Sequence, residues 1–241
     1  MNRTIASYID HAVLAPQQGD QDVRDACQLC GDLLVASICV KPCHVPLAAE
    51  LLDQSNVKVS TVIGFPHGST STDVKISEAH WACQQGAREL DMVVNLGEIH
   101  DQHWDTVEAE IAAVVNAGRS SNAITKVIFE TGLLNDDETI VQLCRISEQA
   151  GAAFVKTSTG FGFAKQDDGT MQPTGATEHH VRLMYKTCGP HMGVKASGGI
   201  RNLSLARRFV DLGATRLGTS STLQIAAEER GEANICSQES Y

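Results

Sequence analysis

A lysine lies inside the apolar run Ala153-Phe154-Val155-Lys156-Thr157, and a second inside Gly193-Val194-Lys195-Ala196. Both runs read as short buried strands, where an ammonium group would lose its hydration. Two outcomes are open: a structural ion pair, or a weakened charge. A desolvated lysine has a depressed pKa, and a neutral amine attacks carbonyls to form a Schiff base. Period-two alternation puts Lys156 on the face of Phe154 and Ser158, and Lys195 on the face of Gly193 and Ser197. On neighbouring strands, about 4.8 Å apart, the two ammonium groups would repel and one pKa would fall. Lys126 opens the run Lys126-Val127-Ile128-Phe129-Glu130. Asp91, in Glu89-Leu90-Asp91-Met92-Val93, supplies a carboxylate that can pair with a lysine or shuttle a proton. A salt-bridged interior of Asp91 with Lys126 and Lys195 is the plainer alternative. Three lysines and an aspartate in adjacent apolar strands are more than packing needs, which favours chemistry.

Hydroxyls and glycines crowd the ends of the same runs. Ser158-Thr159-Gly160 follows Lys156, Ser197-Gly198-Gly199 follows Lys195, and Gly218-Thr219-Ser220-Ser221 opens a helical segment. Backbone N–H groups at such turns and at a helix N-terminus bind phosphate, and glycine lets the backbone approach closely. Tight turns use the same residues, so either loop alone decides nothing; two of them at strand ends point to a phosphate site. Cys27-x-x-Cys30 with Cys39 and Cys43-His44 superficially offers zinc ligands. Cys27 and Cys30 instead share apolar helical positions with Val23, and Cys39 lies inside Ala36-Ser37-Ile38-Cys39-Val40. Cysteine in such places behaves as a small hydrophobe, and no metal is expected.

These groups need a scaffold that brings strand ends together. Strands are expected at 9–14, 33–40, 57–65, 90–95, 125–129, 153–157, 193–196 and 215–218. Helical patterns separate them, as in 104–117, where Val107, Ile111, Val114 and Val115 form one face and Gly118 ends the pattern. Such alternation implies a parallel sheet with helices outside it. Eight units in 241 residues fit a single α/β (β/α)₈ TIM barrel. The alternative is an open doubly wound sheet, which no Gly-rich fingerprint after the first strand supports. No linker or composition shift divides residues 1–241, so one barrel domain is expected. Residues 164–175 read as a polar loop insertion, and 231–241 as a polar, mobile tail.

Composition narrows the partners. Hydrophobic residues make up 42% and charged residues 20%, ordinary values for a soluble globular chain. A net charge of −10 argues against nucleic-acid or anionic-membrane surfaces. No apolar run approaches the about 18–20 residues of a membrane span, and the N-terminal residues lack a secretory pattern. The eight cysteines are therefore expected in a reducing cytoplasm. The amphipathic outer helices are compatible with a monomer or a homodimer.

Seven segments, taken in order, resemble the deoxyribose-phosphate aldolase family. They are Ile9-Asp10-His11, Ser37-Ile38-Cys39-Val40, Val62-Ile63-Gly64-Phe65-Pro66-His67-Gly68, Glu89-Leu90-Asp91-Met92-Val93, Lys126-Val127-Ile128-Phe129-Glu130-Thr131-Gly132, Phe154-Val155-Lys156-Thr157-Ser158-Thr159-Gly160 and Val194-Lys195-Ala196-Ser197-Gly198-Gly199-Ile200-Arg201. The resemblance implies a class I aldolase that needs no metal or other cofactor. Its reaction would be the reversible cleavage of a small sugar phosphate, 2-deoxy-D-ribose 5-phosphate, to acetaldehyde and D-glyceraldehyde 3-phosphate. It implies that Lys156 is the Schiff-base lysine, Lys195 its pKa-lowering neighbour and Asp91 the proton-relay carboxylate. It implies that Asp10, Cys39, Lys126 and Thr157 stand at the substrate, with Lys126 also holding Asp91. Gly198, Gly199, Ser220 and Ser221 would cradle the phosphate. Tyr241 matches a terminal tyrosine that enters the site in some members. Cys39 matches a cysteine linked to inactivation by aldehyde; a buried core thiol is the other reading. Two departures concern the phosphate end. Alanines stand at Ala12 and Ala15 where many members carry threonine and lysine, and Phe161 follows Gly160 where some carry lysine. Lys165 in the insertion is a candidate replacement. Another Schiff-base barrel aldolase, a transaldolase-like enzyme, and a barrel that only binds a sugar phosphate are the competing readings.

Overall fold

The computed structural model describes residues 3–134, 136–166 and 168–232. Tyr241 and all but the first two residues of the expected tail lie outside the described residues. Eight strands close into a barrel in the order β1, β10, β9, β6, β5, β4, β3, β2, and every pairing is parallel. They are β1 (Ile9–Val13), β2 (Ser37–Val40), β3 (Lys58–Ile63), β4 (Glu89–Val93), β5 (Ile124–Ile128), β6 (Phe154–Lys156), β9 (Gly193–Ser197) and β10 (Arg216–Thr219). The helices are α1 (Asp20–Leu33), α2 (Val45–Leu51), α3 (Thr72–Gln84), α4 (Leu96–His100), α5 (Trp104–Arg119), α6 (Asp137–Gln149), α7 (Glu178–Thr187), α8 (Leu203–Asp211) and α9 (Thr222–Glu229).

The strands are short because each crosses the barrel wall once. Leu90, Met92, Val127, Val155, Val194 and Leu217 join the apolar layer between strands and helices. On α5, Val107, Ile111, Val114 and Val115 are buried, each stabilising by about 1.5–3 kcal/mol. Side-chain caps start several helices: Asp136 accepts from Thr139 N, Thr177 from His180 N and Asn202 from Leu205 N. No helix among the described residues is long and apolar enough to cross a membrane.

Three expectations change. The second strand does not begin at residue 33: α1 runs through Gly31 to Leu33, and exposed Leu34 takes the left-handed turn at φ 53°. The second strand is accordingly shorter at its start. The insertion is not a bare loop. Phe163–Lys165 (β7) pairs antiparallel with Met171–Pro173 (β8). Its reversal uses Asp168, whose carboxylate accepts from the N–H and hydroxyl of Thr170, and Gly169 at φ +84°. This Asp-Gly pair is the hairpin signal that overall polarity masked. Helix α4 was also not anticipated; Asn95 caps it by accepting from the N–H groups of Gly97 and Glu98.

A buried lysine on α3 fastens the loops after β3 and β4. Lys75 Nζ donates to Gly68 O at 2.8 Å, to Val93 O at 2.8 Å and to Glu110 Oε1 at 2.7 Å. Gly68 must be glycine here: at φ +69° its Cβ would stand 2.0 Å from Val94 O. Lys75→Met would strand the Glu110 carboxylate, which is 3% exposed. A loss of about 3–5 kcal/mol is expected, seen as a lower urea midpoint without a change in slope.

Candidate active site

Alternation on β4 turns Glu89 and Asp91 into the barrel while Leu90 and Met92 face the helices. Asp91 is wholly buried. Its Oδ2 lies 2.8 Å from Lys156 Nζ and 2.7 Å from Lys195 Nζ. Its Oδ1 accepts from Lys126 Nζ at 2.6 Å and from Ser60 Oγ at 3.3 Å. Three lysines from β5, β6 and β9 thus share one carboxylate. Strand register makes this possible: Asp91 pairs with Lys126, and Lys156 with Lys195.

A second layer lies behind the first. Asp10 Oδ2 is 2.6 Å from Lys195 Nζ and 3.4 Å from Lys126 Nζ. Asp10 Oδ1 accepts from Arg216 Nη1 at 2.5 Å. Arg216 also forks onto Glu89 with two bonds of 2.9 Å, and its guanidinium stacks 5.3 Å from the centre of the Phe154 ring. Glu89 Oε2 lies 2.7 Å from Lys126 Nζ.

This arrangement separates the lysines. Burial would lower Lys126, but Asp10, Asp91 and Glu89 outweigh it and hold its pKa well above the ordinary value. Burial likewise opposes Lys195, and Asp10 with Asp91 hold it raised. Burial would raise the Asp91 carboxyl, yet Lys126, Lys156 and Lys195 hold it well below the carboxylate range. Lys156 alone of the three is lowered: burial pushes it down, Lys195 adds to the push, and Asp91 opposes both. Sequence reasoning made the cationic neighbour the main cause. Burial acts on all three lysines and prevails at Lys156, which has one carboxylate where Lys126 has three and Lys195 two.

Other expected residues fall at various distances from this centre. Asp10 and Lys126 were expected at the substrate. Both are buried beside Asp91 and ion-paired within the network that reaches Lys156. The Thr157 hydroxyl donates to Ser197 O at 3.1 Å and accepts from Ser197 N at 3.0 Å, stitching β6 to β9. Cys39 is buried on β2 beside Asp91 and the lysines, and burial raises its thiol pKa. The turns after β9 and β10 sit on adjacent strands at the barrel mouth. Gly198 and Gly199 take φ +90° and +81°, and a Cβ on Gly198 would press within 2.9 Å of Gly175. Ser220 and Ser221 lead into α9, with Ser221 N bonded to Thr219 Oγ1 at 2.9 Å. Lys165 projects from the hairpin and is exposed.

Glu89, Arg216, Ser60 and Glu130 were missed as site residues. Glu89 was legible, two residues before Asp91 and on its face. Glu130 gives no periodic signal: it leaves β5 at φ 43°. It is buried and accepts from the N–H and hydroxyl of Thr159 and from Thr174 Oγ1. Thr159 Oγ1 in turn receives Phe161 N at 3.0 Å. This chain sets Phe161 edge-on to Phe65, 5.4 Å between ring centres, joining the loops after β3 and β6. Among the described residues no cluster of three or more His, Cys, Asp or Glu side chains is placed to hold a metal.

A closed parallel barrel that gathers lysines and carboxylates below its mouth defines a class of carbonyl-handling enzymes, the barrel aldolases. The chain belongs to the DeoC/LacD family of aldolases, whose profile matches residues 4–224. The deoxyribose-phosphate aldolase of Halalkalibacterium halodurans is 45% identical, over 96% of this chain and 99% of that protein. That of Thermococcus gammatolerans is 44% identical, over 94% and 96%. The tetrameric deoxyribose phosphate aldolase of Aeropyrum pernix superposes with a TM-score of 0.83 at 33% identity, covering 94% of this chain and 91% of that one.

Proposed function

We propose that this aldolase reversibly cleaves 2-deoxy-D-ribose 5-phosphate to acetaldehyde and D-glyceraldehyde 3-phosphate through a Schiff base on Lys156. One observation carries the assignment: of the three lysines around Asp91, Lys156 faces a single carboxylate where Lys126 faces three and Lys195 two, and burial favours its neutral amine. The relatives' names support the substrate. On this reading the protein works in the cytoplasm, in deoxyribonucleoside breakdown.

The Lys156 nitrogen adds its lone pair to the C1 aldehyde of the open-chain sugar, giving a carbinolamine. Loss of water leaves an iminium, which draws electrons from the neighbouring carbon. A base removes the proton of the C3 hydroxyl, the C2–C3 bond breaks, and its electrons form an enamine on the lysine. Glyceraldehyde 3-phosphate leaves. Protonation of the enamine carbon and hydrolysis then release acetaldehyde. Asp91, already beside the amine, moves these protons through water. Lys195 stays charged and keeps Asp91 ionised. The turns at Gly198-Gly199 and Ser220-Ser221 would hold the phosphate through backbone N–H groups and the α9 N-terminus.

A coupled assay for glyceraldehyde 3-phosphate release, run with deoxyribose 5-phosphate beside a panel of ketose phosphates, tests the substrate. Turnover confined to the deoxy sugar is expected. Preference for a ketose phosphate would assign a different aldolase reaction.

A further inference from the structure

Seven ionisable side chains fill the barrel interior around the amine: Asp10 from β1, Glu89 and Asp91 from β4, Lys126 from β5, Lys156 from β6, Lys195 from β9 and Arg216 from β10. Cys39 from β2 and Ser60 from β3 complete the ring of strands facing them. Three groups are carboxylates and four are bases. All are at most 3% exposed except Arg216, whose side chain is 16% exposed. An unpaired charge is costly in so buried an interior. The set is neutral when one of the four bases gives up its proton, and an arginine does not.

We propose that Arg216 is a positioning residue for the aldolase reaction: its fixed charge, forked onto Glu89 and joined to Asp10, completes a neutral set of three carboxylates and three cations that leaves Lys156 as the amine. This rests on the reading of Lys156 as the Schiff-base lysine. Arg216 bonds to Asp10 and Glu89 and acts through these partners. Its two bonds to Glu89 and one to Asp10 occupy the carboxylates that also neutralise Lys126 and Lys195. Without that charge the set would carry one negative charge in excess, and protonation of Lys156 would restore balance. Loss of the Glu89 charge acts in the opposite sense.

The test is the pH at which reductive trapping of acetaldehyde on Lys156 is half-maximal, read by peptide mass spectrometry with cyanoborohydride. In Arg216→Met this midpoint is expected to rise by about one unit or more. Arg216→Lys, which keeps the charge, should recover most of that shift. Glu89→Gln should move the midpoint down, and the double variant Arg216→Met/Glu89→Gln should return it near the wild-type position. A folded Arg216→Met protein with an unmoved midpoint would overturn the inference. So would a double variant displaced as far as the single one. If Arg216→Met does not fold, Glu89→Gln decides, and an unmoved midpoint there has the same meaning. A wild type that gives no Lys156 adduct at any pH instead sinks the Schiff-base reading, and this inference with it.

Discussion

Lys156→Met is expected to lower kcat/KM for aldehyde release by about 10⁴-fold or more while leaving the barrel folded. The nucleophile is lost outright, so raised pH or substrate cannot restore turnover. The fold tolerates the change because the amine it removes has a single carboxylate partner, where Lys126 has three and Lys195 two. Asp91 keeps Lys126 and Lys195 as partners at 2.6 and 2.7 Å. The change forfeits one hydrogen bond, about 1 kcal/mol, partly offset by apolar contact of the methionine. The pH dependence of stability gives a second readout. Lys156 is lowered in the folded state, so between that value and its unfolded value of about 10.4 the unfolded chain binds more protons. Wild-type stability should rise with pH across that window. Thermal unfolding of Lys156→Met between neutral and alkaline pH should lack this rise.

Asp91→Asn should behave in the opposite way, losing stability together with activity. Lys126 and Lys195 would each lose a buried charged partner, at a cost of about 3–5 kcal/mol. Asp91 raises the Lys156 pKa, so its loss does not protonate the nucleophile. The kinetic defect, expected at about 10²–10⁴-fold in kcat, falls on proton transfer. Urea unfolding at neutral pH reads the first effect, and single-turnover kinetics separate adduct formation from product release. The acid limb adds a check. The Asp91 carboxyl is held low in the fold. Its contribution is present above the unfolded value of about 3.9 and fades as pH falls toward the folded one. The variant should therefore lose less stability on acidification than the wild type.

The barrel was legible because most strands are short apolar runs and several helices between them, α5 and α6 among them, are one-faced and end beside a glycine. Lys156 and Lys195 were legible for a simple reason: charge inside an apolar strand has few uses. Asp91 and Lys126 followed from adjacent strands. Depth was not legible. Alternation shows which face a residue occupies but not how far below the mouth it lies, so the shared network of Asp10, Lys126 and Asp91 needed the structure. Arg216 begins its strand, where a charged residue ordinarily reads as solvated. Glu130 sits in a left-handed turn after β5 and joins three loops through contacts of 29 and 44 residues' separation, which no local pattern reports. The hairpin was hidden because its polar composition outweighed its turn signal.

The central claim is that Lys156 is the amine that becomes covalently bound to substrate. The direct measurement is reduction with borohydride in the presence of acetaldehyde at neutral pH, followed by mapping of every lysine by peptide mass spectrometry. An ethyl group on Lys156 Nζ, with Lys126 and Lys195 unmodified, is the predicted result. An adduct on Lys195 or Lys126, or an unmodified Lys156 peptide, would contradict it.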